Sequence, residues 1–243
     1  MFERVLGVIP ARGRSKGVHR KNLRQVRGES LLAWAIRAAD ESTRLTRFVT
    51  TTDDDEIERA ARELGSAVRR RSLELGADDS PVSLSVLDAL RVVEREDASE
   101  YDAVVLLQPT SPLRRGRDVD IVVGVLEQDT DADCVISVCE VGDAHPARMY
   151  SMDDAGRMHP LSADWERARR QELPPLYVRN GAVYAVRRST LVTNRELLGE
   201  RPRAYVMPSR WRANIDDERD LIVANALAEE WIAVHGSDDW ARS

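Results

Sequence analysis

The chain has 243 residues, 42% of them hydrophobic and 32% charged, and its 36 Lys+Arg against 42 Asp+Glu leave a formal net charge of −6. That length suits one large domain, and the balance is too apolar for a disordered chain and too acidic for a general nucleic-acid or membrane-surface binder. No apolar run approaches the roughly 18 residues of a membrane span, and two cysteines, Cys134 and Cys139, make neither a disulfide framework nor a zinc site.

In chain order, Val5–Pro10 is a short apolar run that predicts a buried strand. With an acidic residue at position 3 and no cleavage-site pattern behind it, the N-terminus reads as that strand and not as a signal peptide, so a cytoplasmic protein acting on a small molecule is expected. A polar, basic loop follows over 11–22. Ser30–Asp40 places Leu31, Leu32, Ala35, Ile36 and Ala39 on one helical face, with Ser30 as a candidate N-cap. Phe48–Thr52 reads as a strand. Asp53–Leu64 reads as a helix with an acidic first turn and Gly65 at its end. A short strand at 67–70, a helix at 83–94, a buried strand at 102–107, a helix at 118–128 and a strand at 132–141 continue the alternation. Repeated β-α-β-α order with continuous apolar strands predicts an α/β chain, a mostly parallel sheet with helices on both faces. Ligands of such sheets sit at the carboxyl ends of the strands, so the loops after Pro10, Thr52, Leu107 and Val141 carry the interest.

Beyond Val141 the pattern breaks. Residues 143–175 are polar, hold four prolines and show no sustained period, which predicts an arm inserted into a single domain spanning 1–243. A strand returns over 177–186 and another is expected at 204–207. Residues 216–234 read as a long final helix with Leu221, Ile222, Ala224, Ala228, Trp231 and Ile232 as its buried stripe.

The loop at 11–22 is the most informative segment. It holds Arg12, Arg14, Lys16, Arg20 and Lys21, with Gly13 and Gly17 to let the backbone turn. Lys16 and Lys21 are the only lysines in the chain; every other basic residue is Arg. Lysine is a compact, mobile point charge where Arg is a rigid fork, so their clustering supports a local need for ammonium groups. Cations and exposed backbone N–H groups after a first strand suit a polyphosphate. The spacing matches neither a Walker A loop nor a Gly-x-Gly-x-x-Gly fingerprint.

Pro10-Ala-Arg-Gly-x-Ser-Lys-Gly with Lys21-Asn22 resembles the signature loop of the acylneuraminate cytidylyltransferases. The likeness continues through Thr52-Asp53-Asp54, Gln108-Pro-Thr-Ser-Pro-Leu-Arg114, Arg170-Gln-Glu-Leu-Pro174, Asn180-Gly-Ala-Val-Tyr184 and Asn214-Ile-Asp-Asp-Glu-Arg-Asp-Leu221. Each motif alone is weak; their joint occurrence in order is specific. The resemblance implies a Rossmann-like nucleotidyltransferase fold and transfer of CMP from CTP to a 2-keto sugar acid with release of pyrophosphate. It further implies Mg²⁺ and a homodimer whose arm reaches the partner's active site.

By the same resemblance, Arg12, Lys16 and Lys21 hold the triphosphate and stabilise the departing pyrophosphate, and Gly13 and Asn22 belong to the nucleotide site. Asn22 equally suits a turn or helix entry, and Ser83, which falls where the family has a nucleotide-contacting hydroxyl, equally suits a helix cap. Gln108, Asn180 and Tyr184 lie beside the sugar, although the prolines around Gln108 also suit a rigid structural loop and a strand Tyr also suits core or interface. Arg170 is the arm's partner for the acceptor carboxylate, among other arm arginines. Asp216 is the candidate Mg²⁺ ligand, with an N-cap of the last helix as its alternative.

Three positions depart from the family: Asn214 stands where an acidic residue is usual, Arg14 where Gly is, and His19 where Pro is. Asn214 as a second metal ligand would bring no charge. The departures leave room for another acceptor (a 3-deoxy-octulosonate or a phosphonate) or for a noncatalytic nucleotide-binding protein.

Overall fold

A computed structural model describes residues 1–15 and 17–235. In chain order, β1 (Val5–Pro10) leads to a small hairpin of β2 (Gln25–Val26) and β3 (Glu29–Ser30). Then come α1 (Leu31–Asp40), β4 (Arg47–Thr52), α2 (Asp55–Glu63), β5 (Ala67–Arg70), α3 (Val82–Asp97), β6 (Ala103–Leu106), α4 (Gly116–Gln128) and β7 (Cys134–Glu140). The second half holds the hairpin β8 (Tyr150–Met152) and β9 (Met158–Pro160), then β10 (Tyr177–Arg187), α5 (Arg188–Asn194), β11 (Pro202–Val206) and α6 (Glu218–His235).

The main sheet has seven strands in the order β11-β7-β10-β6-β1-β4-β5. Its pairings are parallel except those of β10, which runs antiparallel to both β6 and β7. From β1 the chain works outward through β4 to the β5 edge, then returns to the other side of β1 as β6. The loops after β1 and β6 therefore diverge from adjacent strands. That reversal opens the crevice in which doubly wound sheets bind ligands.

Alternation along the strands divides the core. Val5 and Ile9 face the side covered by α1, α2 and α4, with Leu32, Ile57 and Val122. Leu6 and Val8 face α3 and α5, with Leu87, Leu90 and Leu191. A third cluster lies off the sheet: Val18 from the loop after β1, Val26, Trp34, Leu113 from the loop after β6, Ile215, and Leu221, Ala224 and Trp231 of α6.

The expected caps Ser30 and Gly65 are present: Ser30 Oγ accepts from Ala33 N, and Gly65 is left-handed at φ +82°. The helix expected from Asp53 begins at Asp55, with Asp54 as its N-cap. At the final helix, the cap alternative for Asp216 and one residue of the expected buried stripe are not found. Its N-cap pairing is between Asp217 and Asp220: Asp220 N donates to Asp217 Oδ1 at 2.9 Å, and Asp220 Oδ2 accepts from the backbone N of Asp216 and Asp217. The Asp216 side chain is therefore not the cap. Ile222, expected in the buried stripe, is 72% exposed. It follows Leu221 by 100° around the helix, which carries it out of the third cluster.

The sequence pattern did not disclose the short α5 or the β2–β3 hairpin. The hairpin turns on Arg27 and Gly28, both at positive φ (52° and 84°), as a two-residue primed turn demands, but without the usual Asn-Gly signal. Within 143–175 the chain forms the β8–β9 hairpin and short 3-10 turns outside the main sheet. Among the described residues, no helix is long and apolar enough to cross a membrane.

Ile215 links two of the diverging loops. Its side chain is fully buried in the third cluster, its N–H donates to Thr110 O at 2.8 Å, and its C=O accepts from Lys21 Nζ at 2.8 Å. Ile215→Ala is expected to cost about 2–4 kcal/mol, the range for truncating a buried aliphatic side chain, read as a lowered urea midpoint at unchanged m-value.

Candidate active site

A polar cleft of about 310 Å³ opens at the crevice between β1 and β6. Arg12, Ser15, Lys21 and Asn22 form one wall, Gln108, Pro109 and Thr110 another, and Arg71 with the 75–80 segment a third, while Asp216 closes it. Four segments distant in sequence thus converge on one volume.

The basic loop is shaped by close approaches. A Cβ on Gly13 would lie 2.5 Å from Asp54 Oδ2, and one on Gly17 would lie 2.0 Å from the Asp216 carbonyl oxygen. Only glycine lets the loop pass Asp54 on one side and press against residue 216 on the other. Asn22 is buried, and its Nδ2 donates to the Arg12 carbonyl at 2.9 Å, bracing the loop from within. Ser15 Oγ accepts from Lys21 N and donates to Val18 O.

Lys21 Nζ donates to Ile215 O at 2.8 Å and to Asp216 Oδ1 at 3.0 Å. Its side chain is only 12% exposed, against 70% for Asp216. The two residues expected to act together are in contact across 195 positions of sequence. Arg12 Nη1 donates to Asp78 Oδ1 at 2.5 Å across the cleft mouth. Lys16 lies outside the described residues. Arg14 is exposed and does not line the cleft.

Gln108 lines the cleft, and its side-chain amide makes no hydrogen bond with any described residue. Its backbone is held from behind: the fully buried Arg114 donates from Nη1 to the carbonyls of Gln108 and Ser111, at 2.7 and 2.8 Å. Burial pushes the Arg114 guanidinium down to about 9, so it stays charged at neutral pH.

Arg71 was not anticipated. It follows the edge strand β5, the strand whose carboxyl end the sequence reading left out. Its side chain is buried, donates to Asp53 Oδ1 at 3.2 Å, and leaves Nε without a partner. Burial holds its guanidinium below the ordinary arginine value, and Asp53 opposes that shift. Its position at a strand's carboxyl end was the available signal.

Four expected site residues are placed elsewhere. Ser83 is buried in the first turn of α3, away from the cleft lining, with Oγ unpartnered, while Ser80 and Ser85 line the cleft. Asn180 is committed within the fold at the irregularity of β10: Oδ1 accepts from Ser137 Oγ (2.6 Å) and Ala182 N (3.1 Å), and Nδ2 faces Met207 Sδ. Tyr184 packs against the α3-side cluster beside its strand partners Leu106 and Ile136. Burial raises its phenol above the ordinary value. Arg170 is an exposed arm residue, paired with Asp143 at 3.2 Å and lining a separate cavity with His145 and Pro174.

Asp216 fits a hard divalent cation shared with phosphate, which needs only one or two carboxylates and otherwise keeps its waters. Asn214 lies beside it, and its Nδ2 donates to Asp216 Oδ2 at 2.8 Å. The arrangement suits phosphoryl chemistry: cations aimed into a cleft, one exposed carboxylate, and a free amide for a hydroxylated ligand.

Asn180→Ala is expected to lower stability by about 2 kcal/mol, since it strands a buried N–H and a buried hydroxyl. Gln108→Ala is expected to stay within about 0.5 kcal/mol of wild type. Urea denaturation of both variants checks the contrast between a committed and an uncommitted amide.

Residues 6–202 match the family model described as cytidylyltransferase. Among curated relatives, the chain is 31% identical over 230 residues to a CMP-N,N'-diacetyllegionaminic acid synthase of Legionella pneumophila, covering 93% of this chain and 97% of that protein. It is 26% identical over 231 residues to an N-acylneuraminate cytidylyltransferase of Escherichia coli, covering 95% of this chain and 53% of that one. The chain spans about half the length of the N-acylneuraminate relatives it matches. Among solved structures, a CMP:2-keto-3-deoxy-manno-octonic acid synthetase complexed with CTP superposes with a TM-score of 0.72 at 17% identity, covering 94% of this chain and 99% of that one, a likeness of fold.

Proposed function

The chain belongs to the cytidylyltransferase family, and from that premise we propose that it transfers CMP from CTP to a hydroxyl of a 2-keto sugar acid, a nonulosonic acid such as sialic or legionaminic acid, releasing pyrophosphate. The observation that carries this reading is the contact of Lys21 with Asp216 at the mouth of a cleft that also holds Arg12 and Gln108.

In the proposed reaction the acceptor oxygen forms a bond to the α-phosphorus as the bond to the bridging oxygen breaks. Charge builds on the pyrophosphate and on the non-bridging oxygens. Catalysis is then mostly positioning and charge neutralisation. Arg12 exchanges Asp78 for a phosphate oxygen, and Lys21 exchanges Asp216 for another. Both pairs are partly exposed, so each exchange costs little. Arg71, fixed by Asp53 at the cleft wall, contributes its positive charge beside the nucleotide. Gln108 donates to and accepts from acceptor hydroxyls. Asp216 is the side chain that holds Mg²⁺. That ion, when bound, supplies charge neutralisation at the phosphates and lowers the pKa of the attacking hydroxyl.

Among the described lining residues, the wall formed by Gln108, Pro109 and Thr110 carries no cation for the acceptor carboxylate. We assign that role to Arg170 delivered from the arm of a second copy, which makes the active unit a homodimer. Bidentate recognition of a carboxylate is the natural use of an exposed arm arginine.

Pyrophosphate release is measured with CTP, Mg²⁺ and a panel of keto acids comprising sialic, legionaminic and 3-deoxy-octulosonic acids, with GTP in parallel. Turnover with CTP and a nonulosonic acid is expected; tight CTP binding with no release for any acceptor would overturn the assignment as an enzyme. Lys21→Ala and Asp216→Ala are each expected to reduce turnover at least about 100-fold, the scale of losing a preorganised charge partner. Mixing inactive Lys21→Ala with Arg170→Ala is expected to restore part of the activity, because some mixed dimers keep one complete site; no recovery on mixing would count against a shared site.

A further inference from the structure

Both carboxylate oxygens of Asp216 already accept a hydrogen bond from a neighbouring side chain. Oδ1 accepts from Lys21 Nζ at 3.0 Å, and Oδ2 accepts from Asn214 Nδ2 at 2.8 Å. The direction of the second bond is fixed, because a carboxylate only accepts and the amide must turn its nitrogen toward it. Asn214 Oδ1 consequently faces away, 3.3 Å from Ser111 Oγ, and that hydroxyl is itself 3.0 Å from Asn180 O. The space is tight: a Cβ on Gly181 would lie 2.6 Å from Ser111 Oγ and 3.3 Å from Asn214 Oδ1. Asn214 is thereby held in one orientation by the loop after β6 and by β10.

The other cap is movable. Lysine carries a compact charge on a flexible stem. Lys21 keeps a second acceptor in the Ile215 carbonyl, so its ammonium can swing off Asp216 and remain anchored. A polyphosphate entering beside Arg12 brings more negative charge than the single carboxylate and competes for the same ammonium.

Resting on the nucleotidyl-transfer reading above, we propose that Lys21 and Asn214 together cap Asp216, so that a divalent cation gains its protein carboxylate only after the nucleotide phosphates have drawn the Lys21 ammonium off Oδ1. Asn214 is a positioning residue in this scheme. It fixes the carboxylate and ties up Oδ2, leaving Oδ1 as the one oxygen to be uncovered. The cation enters with the nucleotide or after it. The protein alone discriminates against a free ion, because an ammonium about 3 Å from the ligand oxygen repels it.

The test is Mn²⁺ binding to nucleotide-free protein, read from the electron paramagnetic resonance signal of unbound Mn²⁺. Wild type is expected to bind weakly. Lys21→Met, which removes the repelling charge, and Asn214→Asp, which adds a second carboxylate beside Asp216, are each expected to bind at least about tenfold more tightly. The gain is expected to vanish in the double variant Lys21→Met/Asp216→Asn. A Lys21→Met affinity within about twofold of wild type, or a gain that survives loss of Asp216, overturns the cap. Asn214→Ala weakening Mn²⁺ binding as far as Asp216→Asn does would make Asn214 a ligand and overturn its positioning role. If Lys21→Met does not fold, Asn214→Asp decides alone: no gain there overturns the proposal. Titration calorimetry with CTP in EDTA tests the nucleotide reading separately, since absence of CTP binding with the Mn²⁺ gains intact fells that reading and leaves the capped carboxylate standing.

Discussion

Three loops that leave the sheet at different strands must meet at one point, and the buried Ile215 is where they are tied. Its side chain sits among Val18, Leu113 and Trp211, which come from the segments that the cleft requires to be adjacent. Its N–H is bonded to the loop after β6 and its C=O to the lysine of the loop after β1. One residue therefore couples hydrophobic burial to both walls. Burying a side chain of this size is worth about 2–3 kcal/mol, and the two backbone bonds add about 1 kcal/mol each. These amounts are enough to order the short loops that carry the charges. Without that anchor, a loop holding five cations would spread into solvent by self-repulsion.

Among the described residues, three cations of the cleft are paired with carboxylates of the chain itself. Arg12 meets Asp78, Lys21 meets Asp216, and Arg71 meets Asp53. The three pairs differ in exposure, and that difference sorts their roles. The Arg71–Asp53 pair is buried on both sides, so separating it would strand a charge at a cost of several kcal/mol. It is a fixed wall, and Gly76 packs so tightly upon it that an added Cβ would lie 2.8 Å from the Asp53 carboxyl carbon. The other two pairs are open to water on at least one side and are worth at most about 1 kcal/mol each. Those are the pairs that phosphate oxygens can replace.

Much of this arrangement was legible in the residues. Continuous apolar strands alternating with amphipathic helices specify a parallel sheet, because both faces must be covered. The clustering of both lysines after β1 drew attention to the loop whose described residues line one wall of the cleft, and the Gln108–Arg114 motif to the opposite wall. What escaped has physical causes. Arg71 follows a four-residue edge strand whose alternation is too brief to read, and it stands third in a row of arginines, of which Arg69 pairs with Glu96 and Arg70 with Asp55. Asn180 and Asn22 show the reverse difficulty. A polar side chain in a motif looks the same whether it awaits a ligand or satisfies backbone groups, and only the hydrogen-bond partners distinguish the two. The sequence offered a helix cap as the alternative role for Asp216, and the geometry gives capping to Asp217 and Asp220. The position of Arg170 was beyond reach, since the placement of an inserted arm depends on long-range packing that no local period encodes.

The buried Arg114 shows how the fold keeps cleft side chains uncommitted. A loop of seven residues with two prolines has few backbone N–H groups to bind itself, so its carbonyls need another donor. Arg114 supplies that donor from inside, bonding the carbonyls of Gln108 and Ser111 while its Nε and Nη2 remain without partners. The fold thus tolerates a desolvated charge with idle donors, an unfavourable element that Asp118 offsets through its field. The alternative would be for Gln108 to bond its own loop through its side chain, which would rigidify the wall equally well and leave no free amide facing the cleft. The same division recurs across the site. Asn22 braces Arg12 from behind, Asn214 holds Asp216, and Ile215 anchors Lys21 through its carbonyl. In each case a buried or turned-away group fixes the backbone or the orientation. The outward side chain is left with an interaction that an incoming anion or hydroxyl can take over.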